Sequence, residues 1–431
     1  SEAMTDNAYT KQPNDFTQNI GNGSYSTADA YVKKVWDGRY TGIRMCNQLL
    51  ENIDRVPDLD PELKKRYIGE AKVLRAYNYY ELYTKFGDVP YTTKVLSIKE
   101  SMSIARTDRA TVIANMLADL DEVINGNYLP TSYDADNKGR ITRWAAMAIK
   151  AKIYLFEGNW TQVKNITSTI MTEGGFTLFG SYAGLFEIAN EYNSEVILDA
   201  QYRPTSREHQ MMYAFLPPSL GGYSQLSPLQ ELVDSYIMLD GKTIKETGTS
   251  FDESHPYANR DPRLKATVMY TGNSYTLIDG TEVIINCEKG EGKDGYGVGS
   301  DCSATGYYIK KYWDNTYRAT LYSGLNPILI RYADILLMNA EALAELGELD
   351  KTAWDATIKP IRNRAGFTLA SALEFPEGAS KDKLIEIVRN ERRSELALEG
   401  HRHKDIIRWR IADDVLNGWC HGLKTNEVVG T

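Results

Sequence analysis

Apolar residues recur at helical spacing toward both ends of the chain and lose that spacing in the middle. From about Ala28 to Gly158 the pattern is helical. Tyr79, Leu82, Tyr83 and Phe86 fall at i, i+3, i+4 and i+7, and Trp144, Met147, Ala148, Ala151, Tyr154 and Leu155 continue the rule. Asp60-Pro61 is a start signal, because Asp accepts from the free N–H groups of a first turn and Pro suits the first helical position. Gly158-Asn159 breaks the chain, and Trp160 opens a helix to about Met171. Between about Glu173 and Asn326 the periodicity fails. Thr281–Asn286 reads as a short strand, and Lys289–Gly306, with six glycines, reads as loop. Helices return at Pro327, where Leu329, Tyr332, Ala333, Leu336, Ala340, Leu343 and Ala344 form one stripe ended by Gly347. A second helix is expected from about Thr352 to Ala365, and a third from a Ser380 cap to Glu399-Gly400.

Helix pairs joined by short turns at both ends bury their faces by stacking, in the manner of tetratricopeptide repeats, although no strict period is visible. The expected fold is therefore mainly α: a tetratricopeptide-like helix-pair scaffold with a large loop-rich, partly β insertion that carries the ligand surface. The chain is read as one domain, 1–431, with helix pairs over 28–172 and 327–410 and the loop-rich region over 173–326.

Composition narrows the function. With 42% hydrophobic and 25% charged residues the chain is an ordinary globular one. No run of 18 apolar residues exists, so no helix is expected to span a membrane. The net charge of −9 and the lack of a basic stripe argue against nucleic acid as a partner. No C-x-x-C pair, zinc-spaced histidine set, G-x-S-x-G, phosphate-binding loop or H-E-x-x-H is present, so no metal and no cofactor are expected. Glu291, Asp294 and Asp301 lack the calcium-loop spacing.

Two features remain. Glu391 and Glu395 interrupt the apolar stripe Leu384, Ile387, Val388, Leu398, and arginines at Arg331, Arg362, Arg364 and Arg402 are available to pair with them. The functional reading is a glycosidase acid/base pair; the structural one, which we favour, is an ion-paired network locking helices together. Asn259-Arg260-Asp261-Pro262-Arg263 is read as fixing a turn into the following strand or helix, with a substrate clamp as the alternative. The second feature is tyrosine, 29 residues against 10 Phe and 7 Trp, dense in the middle region. A tyrosine ring offers an apolar face and a hydroxyl, which suits the C–H face and hydroxyl rim of a sugar. Tyr296 sits among glycines, and Trp313 and Tyr317 lie beside Asp314, Asn315 and Arg318; with Tyr223 and Tyr322 they form the candidate platform.

Seven segments in order resemble the SusD/RagB family of surface glycan-binding lipoproteins of Bacteroidetes: EAKVLRAYNYYELYTKFGDVPY (Glu70–Tyr91), GRITRWAAMAIKAKIYLFEGNW (Gly139–Trp160), NRDPRL (Asn259–Leu264), TGYYIKKYWD (Thr305–Asp314), ILIRYADILLMNAEALAELG (Ile328–Gly347), IRNRAG (Ile361–Gly366) and IVRNERRSELALEGHRHKDIIRW (Ile387–Trp409). The resemblance implies a non-catalytic binder of oligosaccharide or polysaccharide. It also implies a SusC-like TonB-dependent outer-membrane transporter as partner, and a cell-surface position held by a lipid anchor. No lipid-acceptor cysteine is present, so the anchor is expected outside these residues. In that family the region before the first helix contributes to the ligand surface, which brings in Tyr9 and Tyr25. The exported location also permits a Cys287–Cys302 disulfide across the Gly-rich loop, with two free thiols as the alternative. A helical glycoside hydrolase and a helical-repeat peptide adaptor are the rival readings.

Overall fold

The computed structural model describes residues 2–12, 17–316 and 321–424. About 48% of the chain is helical, and strands are few and short, as the mainly α reading requires. Two compact units form, one of residues 26–175 and one of residues 1–25 with 176–431.

The 26–175 unit is a stack of helices, Ala30–Asn52, Pro61–Phe86, Arg109–Asn125, Arg143–Phe156 and Trp160–Glu173, each packed against its sequence neighbour. Local chemistry sets their starts. The Asp60 carboxylate accepts from the Leu63 N–H with Pro61 in the first turn, and Asp108, Thr142 and Asn159 cap the later helices in the same way. One buried arginine ties three helices: Arg75 donates to Asp119 and, at 2.9 Å, to Asn47.

The other unit combines the loop-rich middle and the C-terminal helices. Its strands form four two-stranded antiparallel sheets among the described residues: Ala8–Thr10 with Leu226–Pro228, Val196–Asp199 with Ile328–Arg331, Val268–Met269 with Tyr308–Ile309, and Ser274–Thr276 with Glu282–Ile284. The last contains the strand expected near Thr281–Asn286. Helix Tyr332–Leu346 packs on helix Lys381–Glu395, which the Ser380 hydroxyl caps.

Three sequence expectations need correction. The stripe beginning at Leu329 is not helical at its start, because Ile328–Arg331 pairs as a strand. The helix expected over 352–365 is two, Lys351–Ala356 and Ile358–Ala365, broken at Thr357. The third helix ends at Glu395 rather than Glu399, and Leu398 takes a left-handed φ of 62°. Asp261 caps a short helix, Pro262–Thr267, so the Asn-Arg-Asp-Pro-Arg segment starts a helix as well as turning the chain.

Candidate functional site

Glu391 and Glu395 lie one turn apart on helix Lys381–Glu395, and Glu395 is 0% exposed. Arg263 Nη1 stands 2.7 Å from Glu391 Oε1 and 2.8 Å from Glu395 Oε2. Arg362 Nε donates to Glu391 Oε2 at 2.7 Å, Arg331 Nη1 to Glu395 Oε1 at 2.6 Å, and Arg364 Nη2 also reaches Glu395. Residues not assigned to the network from the sequence complete the cluster. Glu195 binds Arg331 and Arg364, Glu399 binds Arg331 and Lys311, and Asp261 binds Arg263. Arg402, the remaining arginine considered, pairs instead with Asp6. The rings of Tyr182 and Phe186 cover Lys311, with Nζ 4.9 and 4.4 Å from their centroids.

The electrostatics follow from this packing. Burial alone would raise the Glu395 carboxyl, but Arg364, Arg331 and Arg263 reverse that and hold it far below the ordinary range. Glu399 is likewise brought down to about 2 by Arg331 and Lys311 against the effect of burial. Burial lowers Lys311 to about 8 even with Glu399 beside it. A glycosidase acid needs a raised pKa and a path to substrate. Glu391, Glu395 and Glu399 are held down, and Asp261, which burial raises, is fully enclosed and bonded to Arg263, so no acid of the cluster has a path to substrate and the cluster braces the fold.

The tyrosine-bearing loops are built differently. Met212, Leu216, Met269, Tyr275, Ile285, Cys287 and Tyr308 form a buried apolar cluster, with Phe215, Leu220, Trp313 and Leu321 packed against it. The loops carrying Tyr223, Tyr296, Trp313 and Tyr322 therefore share one floor. Tyr296 is 39% exposed on a loop closed by its own backbone: Gly290 N–H donates to Tyr296 O at 3.0 Å and Tyr296 N–H to Cys287 O at 3.2 Å. Gly295 is required there, because a Cβ would lie 2.3 Å from the carbonyl oxygens of Glu288 and Glu291. Asp294 accepts from Ser219 N–H at 2.8 Å, which joins this loop to the segment before Tyr223. Tyr223, 37% exposed, stacks on Tyr213 with centroids 4.2 Å apart. Tyr322, 42% exposed, follows Leu321 and precedes Ser323, whose backbone exchanges hydrogen bonds with His209.

Trp313 is half-buried. Its indole N–H donates to Thr276 O at 2.9 Å and its ring leans on Tyr275. The preceding Tyr312 is buried with φ 65°, a left-handed conformation uncommon for a bulky residue, and it turns the chain between buried Lys311 and half-buried Trp313. Tyr9 lies on strand Ala8–Thr10 and lines a separate cavity of about 140 Å³ with Trp419. Tyr25 is 55% exposed. Tyr317 lies outside the described residues.

The disulfide reading is not realised: Cys46, Cys287, Cys302 and Cys420 are all free. The Cys302 thiol donates to Lys293 O at 3.2 Å, and burial pushes the Cys287 thiol up to about 12. Among the described residues no helix is long and apolar enough to cross a membrane.

Known proteins share this construction. Residues 185–427 match the sequence profile of the SusD family, and residues 1–155 match a profile described as starch-binding and associating with the outer membrane. A SusD-like protein of Formosa agariphila is 28% identical, over 91% of this chain and 75% of its own length. A solved SusD-like carbohydrate-binding protein of Bacteroides fragilis is 30% identical, superposes with a TM-score of 0.88, and is matched over 98% of this chain and 82% of its own. A laminarin-binding SusD-like protein is 25% identical with a TM-score of 0.74, over 96% and 86% of the two chains. With more than half of its length matched by the family's own profile, this chain belongs to the SusD family.

Proposed function

We propose that this protein binds oligosaccharide or polysaccharide at the bacterial cell surface without catalysis and passes it to a TonB-dependent outer-membrane transporter, a lipid anchor holding it at the membrane. The observation that carries the reading is the common floor under the loops of Tyr223, Tyr296, Trp313 and Tyr322, three of which keep exposed rings. Loops anchored in one apolar cluster offer stacking faces with little further ordering on binding. Tyr296 is the leading contact, joined by Tyr223 and Tyr322. Trp313 contributes through what its ring leaves uncovered, and Tyr9 and Tyr25 are further proposed contacts, Tyr9 from its separate cavity. The carbohydrate-binding relative from Bacteroides fragilis and the laminarin-binding one support this substrate class. The outer-membrane description of the second profile supports the location.

A glycan array followed by calorimetry with the captured glycan tests the binding claim. Binding that survives Ala substitution at Tyr223, Tyr296 and Tyr322 together overturns the site. Incubation of the same glycan with the protein and a reducing-sugar assay tests the absence of hydrolysis; release of reducing ends overturns it. Co-purification with a TonB-dependent transporter from the native membrane tests the hand-over.

A further inference from the structure

In the 26–175 unit several arginines have carboxylate acceptors. Arg75 meets Asp119 at 2.7 Å, Arg140 meets Glu70 at 2.6 Å, and Arg109 meets Glu157 at 2.5 Å. Arg66 and Arg143 are different. Both are half-buried, neither guanidinium makes a hydrogen bond or close ion pair among the described residues (Asp134 acts on Arg66 only at longer range), and the Nε of each is closed off from solvent without an acceptor. A guanidinium keeps its proton, so both groups stay charged, and their terminal nitrogens, not the closed-off Nε atoms, are the donors open to a ligand. Tyr67 and Tyr133 lie under Arg66 at 5.5 and 5.7 Å, but a ring face offers no lone pair.

The two arginines line one cleft of about 540 Å³. Arg66 comes from helix Pro61–Phe86 and Arg143 is the first residue of helix Arg143–Phe156. The 127–131 turn supplies the third wall and is firmly placed. Gly69 lets it close on the long helix, since a Cβ there would lie 2.9 Å from Tyr128 Cβ. Arg143 N–H donates to Pro130 O at 2.9 Å, and Tyr128 OH to Glu122 at 3.0 Å. Asn127 and Thr131 add an amide and a hydroxyl to the lining. Two acids also line it. Asp60 already accepts from Leu63 N–H at 2.8 Å, and Glu62, one turn from Arg66, is exposed and makes no ion pair with it.

We propose that this cleft binds an oxyanion, a sulfate or carboxylate group, through the guanidinium groups of Arg66 and Arg143. Planar N–H pairs match the spacing of two oxygens on such a group, which a lone ammonium does not. The cleft exceeds one small ion in volume and leaves room for a ring carrying the acid. The net charge of −9 repels anions at long range, so uptake here reports the local pair rather than a general field.

The test uses the full chain at constant ionic strength, titrated by calorimetry with sodium sulfate, sodium glucuronate and neutral glucose. Saturable sulfate binding without a glucose response is the expected result. Arg66→Gln and Arg143→Gln should each weaken it about tenfold, the size of one charge-assisted contact. Glu62→Gln should tighten it about twofold by removing a competing carboxylate. Tyr296→Ala should leave it unchanged, which separates this site from the aromatic loops. Sulfate and glucuronate binding together identify a ligand-borne acid; sulfate alone identifies a free inorganic ion as ligand. Titrations of both anions that match sodium chloride overturn the proposal, as does full sulfate binding by the folded Arg66→Gln/Arg143→Gln double variant.

Discussion

The carboxylate cluster around Glu395 and the tyrosine loops belong to the same unit and follow opposite plans. In the cluster Arg263, Arg331 and Glu395 each pair with more than one opposite charge, and aromatic rings close over Lys311. On the loops, backbone hydrogen bonds hold the tyrosine-bearing turns, Tyr223 leans on Tyr213, and each tyrosine stays partly in water. The region richest in reactive side chains is thus the least able to react, while the chemically plain loops keep surface available. A buried ion-pair network leaves little room for rearrangement, because losing one member strands the others. Stacking faces need only a firm base and access.

The sharpest way to break this contrast is to disarm the cluster. Glu395→Gln should destabilise the fold by about 3–5 kcal/mol, because Arg263, Arg331 and Arg364 would keep buried charges with a neutral partner. Chemical denaturation reads the loss. An unchanged midpoint together with lost glycan binding would move the function into the cluster.

Acid should expose the same weakness. Glu399 is held near 2 in the folded protein against an ordinary value of 4.5, and Glu391 and Glu395 are lowered as well. The unfolded chain therefore binds more protons in that interval. The stability these groups give is complete above about 4.5 and is lost as pH falls toward 2, each tenfold difference in proton affinity being worth about 1.4 kcal/mol. Lys311, held near 8 against 10.5, acts at the other end, where its contribution to stability rises between those values. Urea midpoints measured across pH check both signs, and a flat acid limb would contradict the network.

Tyr296→Ala sharpens the comparison from the loop side. It should weaken glycan binding by about 1–3 kcal/mol, by analogy with bases stacked on aromatic rings. The denaturation midpoint should stay within about 0.5 kcal/mol of the parent, since the ring is partly exposed. The smallest effect is expected at Trp313, which stands between the two plans. Trp313→Phe keeps a ring on the floor and loses the hydrogen bond to Thr276 O, so stability should fall by about 1 kcal/mol.

The helical scaffold could be read from local chemistry: Asp60-Pro61, Ser380 and the stripe on Arg143–Phe156 act within a few residues of themselves. Strand Ile328–Arg331 could not, because a three-residue apolar run ahead of Arg331 fits either periodicity and its partner, Val196–Asp199, is remote in sequence. Glu391 and Glu395 stood out as charges on an apolar stripe. Glu195 gave no such sign, lying in a segment without periodicity. Lys311 did give one, a lysine inside the aromatic run Tyr307–Trp313, where a charge implies a buried partner. Arg263 carried two roles in one motif, next to the capping Asp261 and inside the cluster. On the loops the sequence offers the tyrosines but not their exposure, which depends on contacts such as Asp294 with Ser219.

That last contact, with the closed turn at Gly295, bears on timing. The loop under Tyr296 is ordered by Gly290 N–H, Cys287 O and Ser219 N–H, all of them groups of the protein itself. Its conformational entropy is surrendered during folding, before any ligand arrives. For a glycan stacking on Tyr296 as proposed, encounter needs no slow closing step, and its residence time is set by how quickly it slides off the ring. Stopped-flow traces of such a site are single-exponential, with an observed rate linear in ligand concentration.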